Sequence, residues 1–267
     1  MSAPRRAGEK LFAACGAVIT GTIVVLVLAP VVLTVLLSFS NDAAIQFPPQ
    51  SWGVQRYLDL AASTKWLTAL WLSVRLALTS ATIAFVLGVG ALLAIHRTRL
   101  PLRSWLEQAG IVSLLIPMSA YSVAMYSVFS QLGLLGSFLG LALAHAVLAL
   151  PFIILVGSAS MRGVPPDLEL TAITLGASRA RAWGGITLRL VTPALAGGFV
   201  MAFQTSFEEA VFVNFLGGPG LVTLPKAIFD SVQFGSDPVI TAISASIVLI
   251  SSVAVALPLA LTRGARR

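Results

Sequence analysis

The chain has 267 residues, 57% of them hydrophobic and only 10% charged, with a formal net charge of +7 and a mean hydropathy of +0.95. A soluble domain carries about a quarter charged residues, and a large apolar core does not explain so wide a gap, so a soluble globular fold is excluded. What remains is an all-α polytopic membrane protein with one transmembrane domain over residues 1–267, too short to hold a large soluble domain besides.

A bilayer core of about 30 Å needs roughly 20 mostly apolar residues per spanning helix. Six stretches meet that requirement, at about 11–38, 66–95, 105–128, 137–160, 191–216 and 239–262, and predict six transmembrane helices. The first follows "RRAGEK", which resembles the charged start of a signal peptide. Its roughly 28 residues exceed the apolar core of about 7–15 of such a peptide, and no A-x-A cleavage site follows, so it reads as an uncleaved first helix. The single cysteine, Cys15, lies in this helix; it has no partner for an internal disulfide and reads as a small buried hydrophobe.

With the helices so placed, 13 of the 17 Lys and Arg residues fall on one side of the membrane: Arg5, Arg6, Lys10, Arg97, Arg99, Arg103, Arg162, Arg179, Arg181, Arg189, Arg263, Arg266 and Arg267. The other side holds Arg56, Lys65 and Lys226, and Arg75 falls within the second helix. Positively charged loops stay in the cytoplasm, so both termini are expected there. The basicity is thus a topology signal. No interleaving of basic and aromatic residues points to nucleic acid, and none is expected as a partner.

Catalytic patterns are missing. None of the three lysines follows a glycine, so there is no G-x-x-x-x-G-K-[ST] phosphate loop, and H-E-x-x-H and G-x-S-x-G do not occur. The two histidines, His96 and His145, are far apart, which disfavours a metal site, and His145 reads as a hydrogen-bonded packing residue within its helix. G-x-x-x-G occurs once, from Gly136 to Gly140, and marks close helix packing. The expectation is a transport protein and not an enzyme, with neither metal nor cofactor of its own. Its energy then comes from a partner or an ion gradient.

The connection at about 161–190, "MRGVPPDLELTAITLGASRARAWGGITLR", lies on the basic side and has helical signals of its own. Pro165 and Pro166 followed by Asp167 and Glu169 suit a helix start, because proline fits the first turn and acids favour the positive helix end. Leu168, Ala172 and Leu175 recur at i, i+4 and i+7 on one face, Gly176 closes the helix, and Ser178 can cap a second segment carrying Ala180, Trp183 and Ile186. So short a helix either rests on the lipid surface or docks as a knob into a cytoplasmic protein. The spacing leaves both open.

The same loop resembles the coupling loop of ABC importer permeases, E-A-A-x3-G-x9-I-x-L-P. Ala172, Gly176, Ile186 and Leu188 match in place, while Leu170 stands at the glutamate, with Glu169 one residue earlier, Thr171 at the first alanine and Arg189 at the proline. "SFSNDAAIQFPPQSWGVQRYLDL", "LLGSFLGLALAHAVLALPFIILVGSASMRG" and "SFEEAVFVNFLGGPGLVTLPKAIFDSV" are similar to stretches of the spermidine/putrescine-type subfamily, so the resemblance runs from about Val18 to Leu261. It implies a type I-like permease bundle in a bacterial-type inner membrane. Its partners would be two cytoplasmic ATPase subunits that bind ATP, a second permease that is a different chain, and an extracytoplasmic solute-binding protein. It also implies an ATPase-coupling surface at Asp167, Leu168, Glu169, Ala172, Leu175, Gly176, Ala177 and Ser178.

The adjacent glutamates of "TSFEEAVFVNF" pose the sharpest question. From Pro193, Glu208 lies 15 residues on, about 22 Å at 1.5 Å per residue, past the midplane. At about 100° per residue, Phe199, Phe203, Phe207 and Val211 form an apolar ridge, and Gly197, Gly198, Gln204, Thr205, Glu208 and Glu209 fall in an opposite arc about 140° wide. Ionisable groups at mid-bilayer cost about 2.5–3.5 kcal/mol each and so face the interior. One reading has a glutamate protonated or paired with Arg75; the other lines a translocation path with Gln204, Thr205, Glu208 and Glu209. Glu208 is assigned to the path, and for Glu209 both readings stand. The function expected is the permease subunit of an ATP-driven importer for a polyamine or similar small organic cation. The alternative is a proton-coupled secondary transporter that uses Glu208 and Glu209 as a relay, although no inverted repeat accompanies it.

Overall fold

The structure is a computed structural model that describes residues 3–97, 103–235 and 237–264; of the basic residues assigned to one side, Arg99, Arg266 and Arg267 lie outside the described residues. In chain order the helices are α1 Ala3–Ser38, α2 Gln55–Ala62, α3 Thr64–Arg97, α4 Arg103–Val112, α5 Met118–Gln131, α6 Phe138–Met161, α7 Asp167–Thr174, α8 Arg179–Ala182, α9 Leu188–Glu208, α10 Val211–Leu216, α11 Leu224–Phe234 and α12 Val239–Gly264. A 3-10 turn, Ser113–Leu115, follows α4, and a π turn, Trp183–Thr187, leads from α8 into α9. The fold is all-α; among the described residues the extended pairing is a single bridge, Ser40 to Trp52.

Among the described residues, four segments are long and apolar enough to cross a membrane: Phe12–Ser38, Thr64–Arg97, Phe138–Met161 and Arg179–Glu208. The stretch read as 239–262 is continuous within α12. Two expected helices are interrupted. Over 105–128 the chain passes from α4 through the 3-10 turn to an extended Ile116 (φ −75°, ψ 126°) before α5. Pro117 is the cause, because its ring drives the preceding residue out of the helical region and it has no N–H to donate. Over 191–216 the helix ends at Glu208 and restarts as α10.

The chain divides into two compact units, residues 1–67 with 230–267, and residues 68–229. In the first, α12 packs on α1 and α2. Buried Arg56, read only as a loop charge, organises this unit: it donates to Leu37 O at 2.5 Å, Thr241 Oγ1 at 3.0 Å, Asp42 O at 3.1 Å and Ala44 O at 3.2 Å. The Asp42 carboxylate accepts from the Ser51 hydroxyl and the Gln50 amide, and these bonds hold it well below the usual carboxylate range. Cys15 corrects its sequence reading: it is exposed, as are residues 12–33 of α1 throughout.

In the second unit α6 packs most extensively on α9, with α4 and α10 also against α6. Buried Ala81, Ala84, Ala146, Ala149 and Ala202 sit at its centre, where small side chains let helix backbones approach closely. The Gly136–Gly140 spacing is not a helix face, which corrects its reading. Gly136 lies in the turn before α6 with φ +68°, donating to Leu216 O at 2.9 Å, and only Gly140 is helical.

Candidate functional site

The 161–190 loop folds as its residues direct. Pro166 precedes α7, Asp167 and Glu169 occupy its first turn, and Gly176 takes φ +94°. Gly176 N donates to Ile173 O at 2.9 Å and Ala177 N to Ala172 O at 3.0 Å, the paired bonds of a Schellman stop. Ser178 Oγ then accepts from Arg181 N at 3.3 Å and caps α8.

The direction of the faces is the informative part. Leu168, Leu170 and Leu175 are 44%, 57% and 83% exposed, and Asp167, Gly176 and Ser178 are exposed too, whereas Ala172 and Ala177 are half-buried. Glu169, placed in the same outward set by sequence, turns inward and is 6% exposed. Its Oε1 lies 2.6 Å from Arg97 Nε at the end of α3 and accepts from the Thr187 hydroxyl at the end of the π turn. Beside this pair opens a cavity of about 870 Å³ with Leu170, Ile173, Arg179 and Trp183 in its wall.

The second region is the end of α9, whose 21 residues rise about 30 Å, comparable to a bilayer core. Gln204 and Glu208 are exposed in the chain, with Gln204 Nε2 donating to Glu208 Oε1 at 3.2 Å. Half-buried Thr205 borders a smaller cavity of about 290 Å³ together with Tyr121, Phe152 and the broken segment at Ser113, Leu114 and Ile116. Of the predicted path residues, Gln204 and Glu208 thus form one exposed pair, and Thr205 lies at the cavity. Glu209 stands apart from both: extended at φ −77°, ψ 121° and 8% exposed, it accepts from Phe212 N at 2.8 Å and caps α10.

Pairing with Arg75 does not occur. Its guanidinium lies over the Phe138 ring at 4.5 Å, and among the described residues it makes no ion pair with Glu208 or Glu209. The phenylalanine ridge is a packing surface, with Phe203 stacked on Phe207 at 5.8 Å and Phe199 edge-on to Phe85 at 5.8 Å. The opposite arc is not uniformly open, since Gly198 is buried within 3.5 Å, measured from an added Cβ, of the Ile153 backbone. His145 Nδ1 pairs with Ser206 Oγ at 2.9 Å, wholly buried, as a packing residue does. Sequence reasoning missed Arg97, Thr187 and Tyr121 as site residues. Arg97 reads in the sequence only as one of the basic-side charges, at the end of a long apolar run.

Residues 86–266 match the family described as binding-protein-dependent transport system inner membrane component. The chain is 28% identical over 231 residues to the putrescine transport system permease protein PotI of Escherichia coli (strain K12), covering 81% of this chain and 79% of that one. It is 26% identical over 226 residues to the spermidine/putrescine transport system permease protein PotC of the same strain, covering 85% of each. With the molybdenum transport system permease protein ModB of Mycobacterium bovis it shares 31% identity over 198 residues, 68% of this chain and 74% of that one. A crystal structure of a bacterial ABC transporter involved in the import of the acidic polysaccharide alginate has the same fold, with a TM-score of 0.73 over 96% of this chain and 97% of that one at 17% identity.

Proposed function

Because the chain belongs to the binding-protein-dependent transport inner-membrane-component family, we propose that it is the membrane-spanning permease of an ATP-driven importer whose cargo is a polyamine or similar small organic cation. It is a transport subunit and not an enzyme, with ATP hydrolysis in a partner. The complete assembly in this reading has two cytoplasmic ATPase subunits, a second and different permease chain, and an extracytoplasmic binding protein. Both termini lie in the cytoplasm of a bacterial-type inner membrane.

The observation that carries the cargo assignment is the exposed pair of Gln204 and Glu208 at the end of α9. An exposed carboxylate beside an amide suits ammonium groups, and the relatives PotI and PotC are putrescine and spermidine/putrescine permeases by name. Transport proceeds by alternating access: the ATPase pair closes on ATP, the 165–178 segment transmits the movement, and the path opens outward. The outward residues of that segment, Asp167, Leu168, Leu175, Gly176 and Ser178, with Ala172 and Ala177 behind them, form the ATPase-docking face. A proton relay through both glutamates is disfavoured because the Glu209 carboxylate is buried and engaged by the Phe212 N–H.

The test is uptake into proteoliposomes holding the assembled transporter and its binding protein. Labelled putrescine or spermidine should accumulate only with internal ATP, and molybdate should neither accumulate nor compete. Accumulation of molybdate would transfer the cargo assignment to oxyanions. Uptake driven by a pH gradient without ATP would replace the importer by a secondary transporter.

A further inference from the structure

Glu169 is a buried carboxylate on a helix that is otherwise weakly held. α7 has eight residues, too few for stability on its own, and its leucines Leu168 and Leu170, with Leu175 just after it, are exposed. A carboxylate withdrawn from water in such a place costs several kcal/mol unless it is paired and hydrogen-bonded. Here it is both. Arg97 and Glu169 have side chains 7% and 8% exposed, with Nε to Oε1 at 2.6 Å. The fully buried Thr187 donates its hydroxyl to the same oxygen.

The guanidinium is also used beyond the ion pair. Arg97 Nη2 donates to Val164 O at 3.1 Å, fixing the turn that precedes α7, and Nη1 reaches the His96 carbonyl at 3.4 Å. One oxygen of one residue therefore joins three elements: the end of α3, the first turn of α7, and the π turn that runs directly into α9. π turns place an extra residue in a helical turn and recur at functional sites. In this chain the π turn ends at Thr187, whose hydroxyl meets Glu169. α9 continues from there to Glu208 without interruption.

We propose that Arg97, Glu169 and Thr187 form a strap that makes α7 move as one body with α3 and α9, so that Glu169 is an inward positioning residue and not a contact of the ATPase. This rests on the coupling role given to α7 above. The leucines receive the ATPase movement, and the strap delivers it to the helix that carries Gln204 and Glu208. A small loss of register at Glu169 would then leave docking intact and spoil transmission.

Two measurements test this. In the purified chain in lipid nanodiscs, with Cys15→Ser as background, spin labels at Ala177→Cys and Thr192→Cys should give one narrow distance distribution, which Glu169→Gln and Thr187→Val each broaden. Thr187→Val keeps side-chain shape and the ion pair, so it decides the matter if Glu169→Gln fails to fold. In the assembled transporter, both variants should co-purify with the ATPase subunits at wild-type ratio while solute moved per ATP falls roughly 5-fold or more. A distribution unchanged by the variants overturns the strap. Loss of ATPase binding by Glu169→Gln overturns the inward role. A wild-type chain that binds no ATPase subunit defeats the coupling role alone, and the distance measurement still decides the strap.

Discussion

At the scale of single residues, the two adjacent glutamates have opposite fates, and the backbone decides which. Glu208 is the last residue of α9 and remains exposed, whereas Glu209 is extended, and its carboxylate accepts from the Phe212 N–H three residues ahead. A carboxylate accepting an N–H at a helix start typically contributes about 1 kcal/mol, and leaving that N–H unmet costs as much or more in a buried setting. Glu208→Gln should therefore assemble in normal amounts yet lose most uptake of a cationic solute, with divalent and trivalent amines affected more than monovalent ones. Glu209→Ala should do the reverse, lowering the yield of folded chain while uptake per assembled complex stays near wild type. Uptake assays normalised to complex recovered from the membrane distinguish the two. Equal losses of uptake per complex in both variants would return Glu209 to the path.

At the scale of elements, α7 shows what local chemistry dictates and what it leaves open. Its start at Pro166, its stop at Gly176 and the Ser178 cap are written in residue types whose backbone preferences are strong, and each stands where the sequence places it. Which face turns inward was not legible, because Glu169 is held by Arg97 and Thr187, 72 and 18 residues away in the chain. The breaks at Pro117 and Glu209 divide in the same way. Pro117 signals its own break, while the one at Glu209 is fixed by the packing of α10 on α5 and α6 and has no local marker. The stop at Gly176 carries a prediction. A Cβ there meets nothing within 4 Å, so Gly176→Ala suffers only the cost of φ +94°, about 1–2 kcal/mol. It should loosen the end of α7 and reduce coupled transport without clashing. Leu175→Asp, at an 83% exposed position, should leave the chain stable in the membrane and weaken ATPase association. Measuring ATPase co-purification and ATP-driven uptake side by side checks both, and wild-type values in the two variants would remove this segment from coupling.

At the scale of the whole molecule, the outward apolar surface and the uneven charge make one statement about environment. Residues of α1 such as Val25, Leu26 and Val27 are 64–67% exposed, which water would penalise and lipid or an apposed permease would not. In the orientation proposed above, the 13 basic residues that the sequence assigns to one side, against three on the other, lie in the cytoplasm. In that proposed orientation Ser178, at the cap of α8, lies on the basic side, and Gln46, in the loop ordered by Asp42 and Arg56, lies on the other. Both are exposed, so a cysteine at either position is open to reagent. In intact cells carrying the Cys15→Ser background, a membrane-impermeant maleimide should label Gln46→Cys and spare Ser178→Cys until the membrane is permeabilised. The same assay bears on the α7 face, because a segment that receives an ATPase must lie where ATP is. Labelling of Ser178→Cys from outside would reverse the orientation and detach the 161–190 loop from any cytoplasmic partner. Labelling of both positions from outside would mean an odd number of membrane crossings has been miscounted between residues 46 and 178.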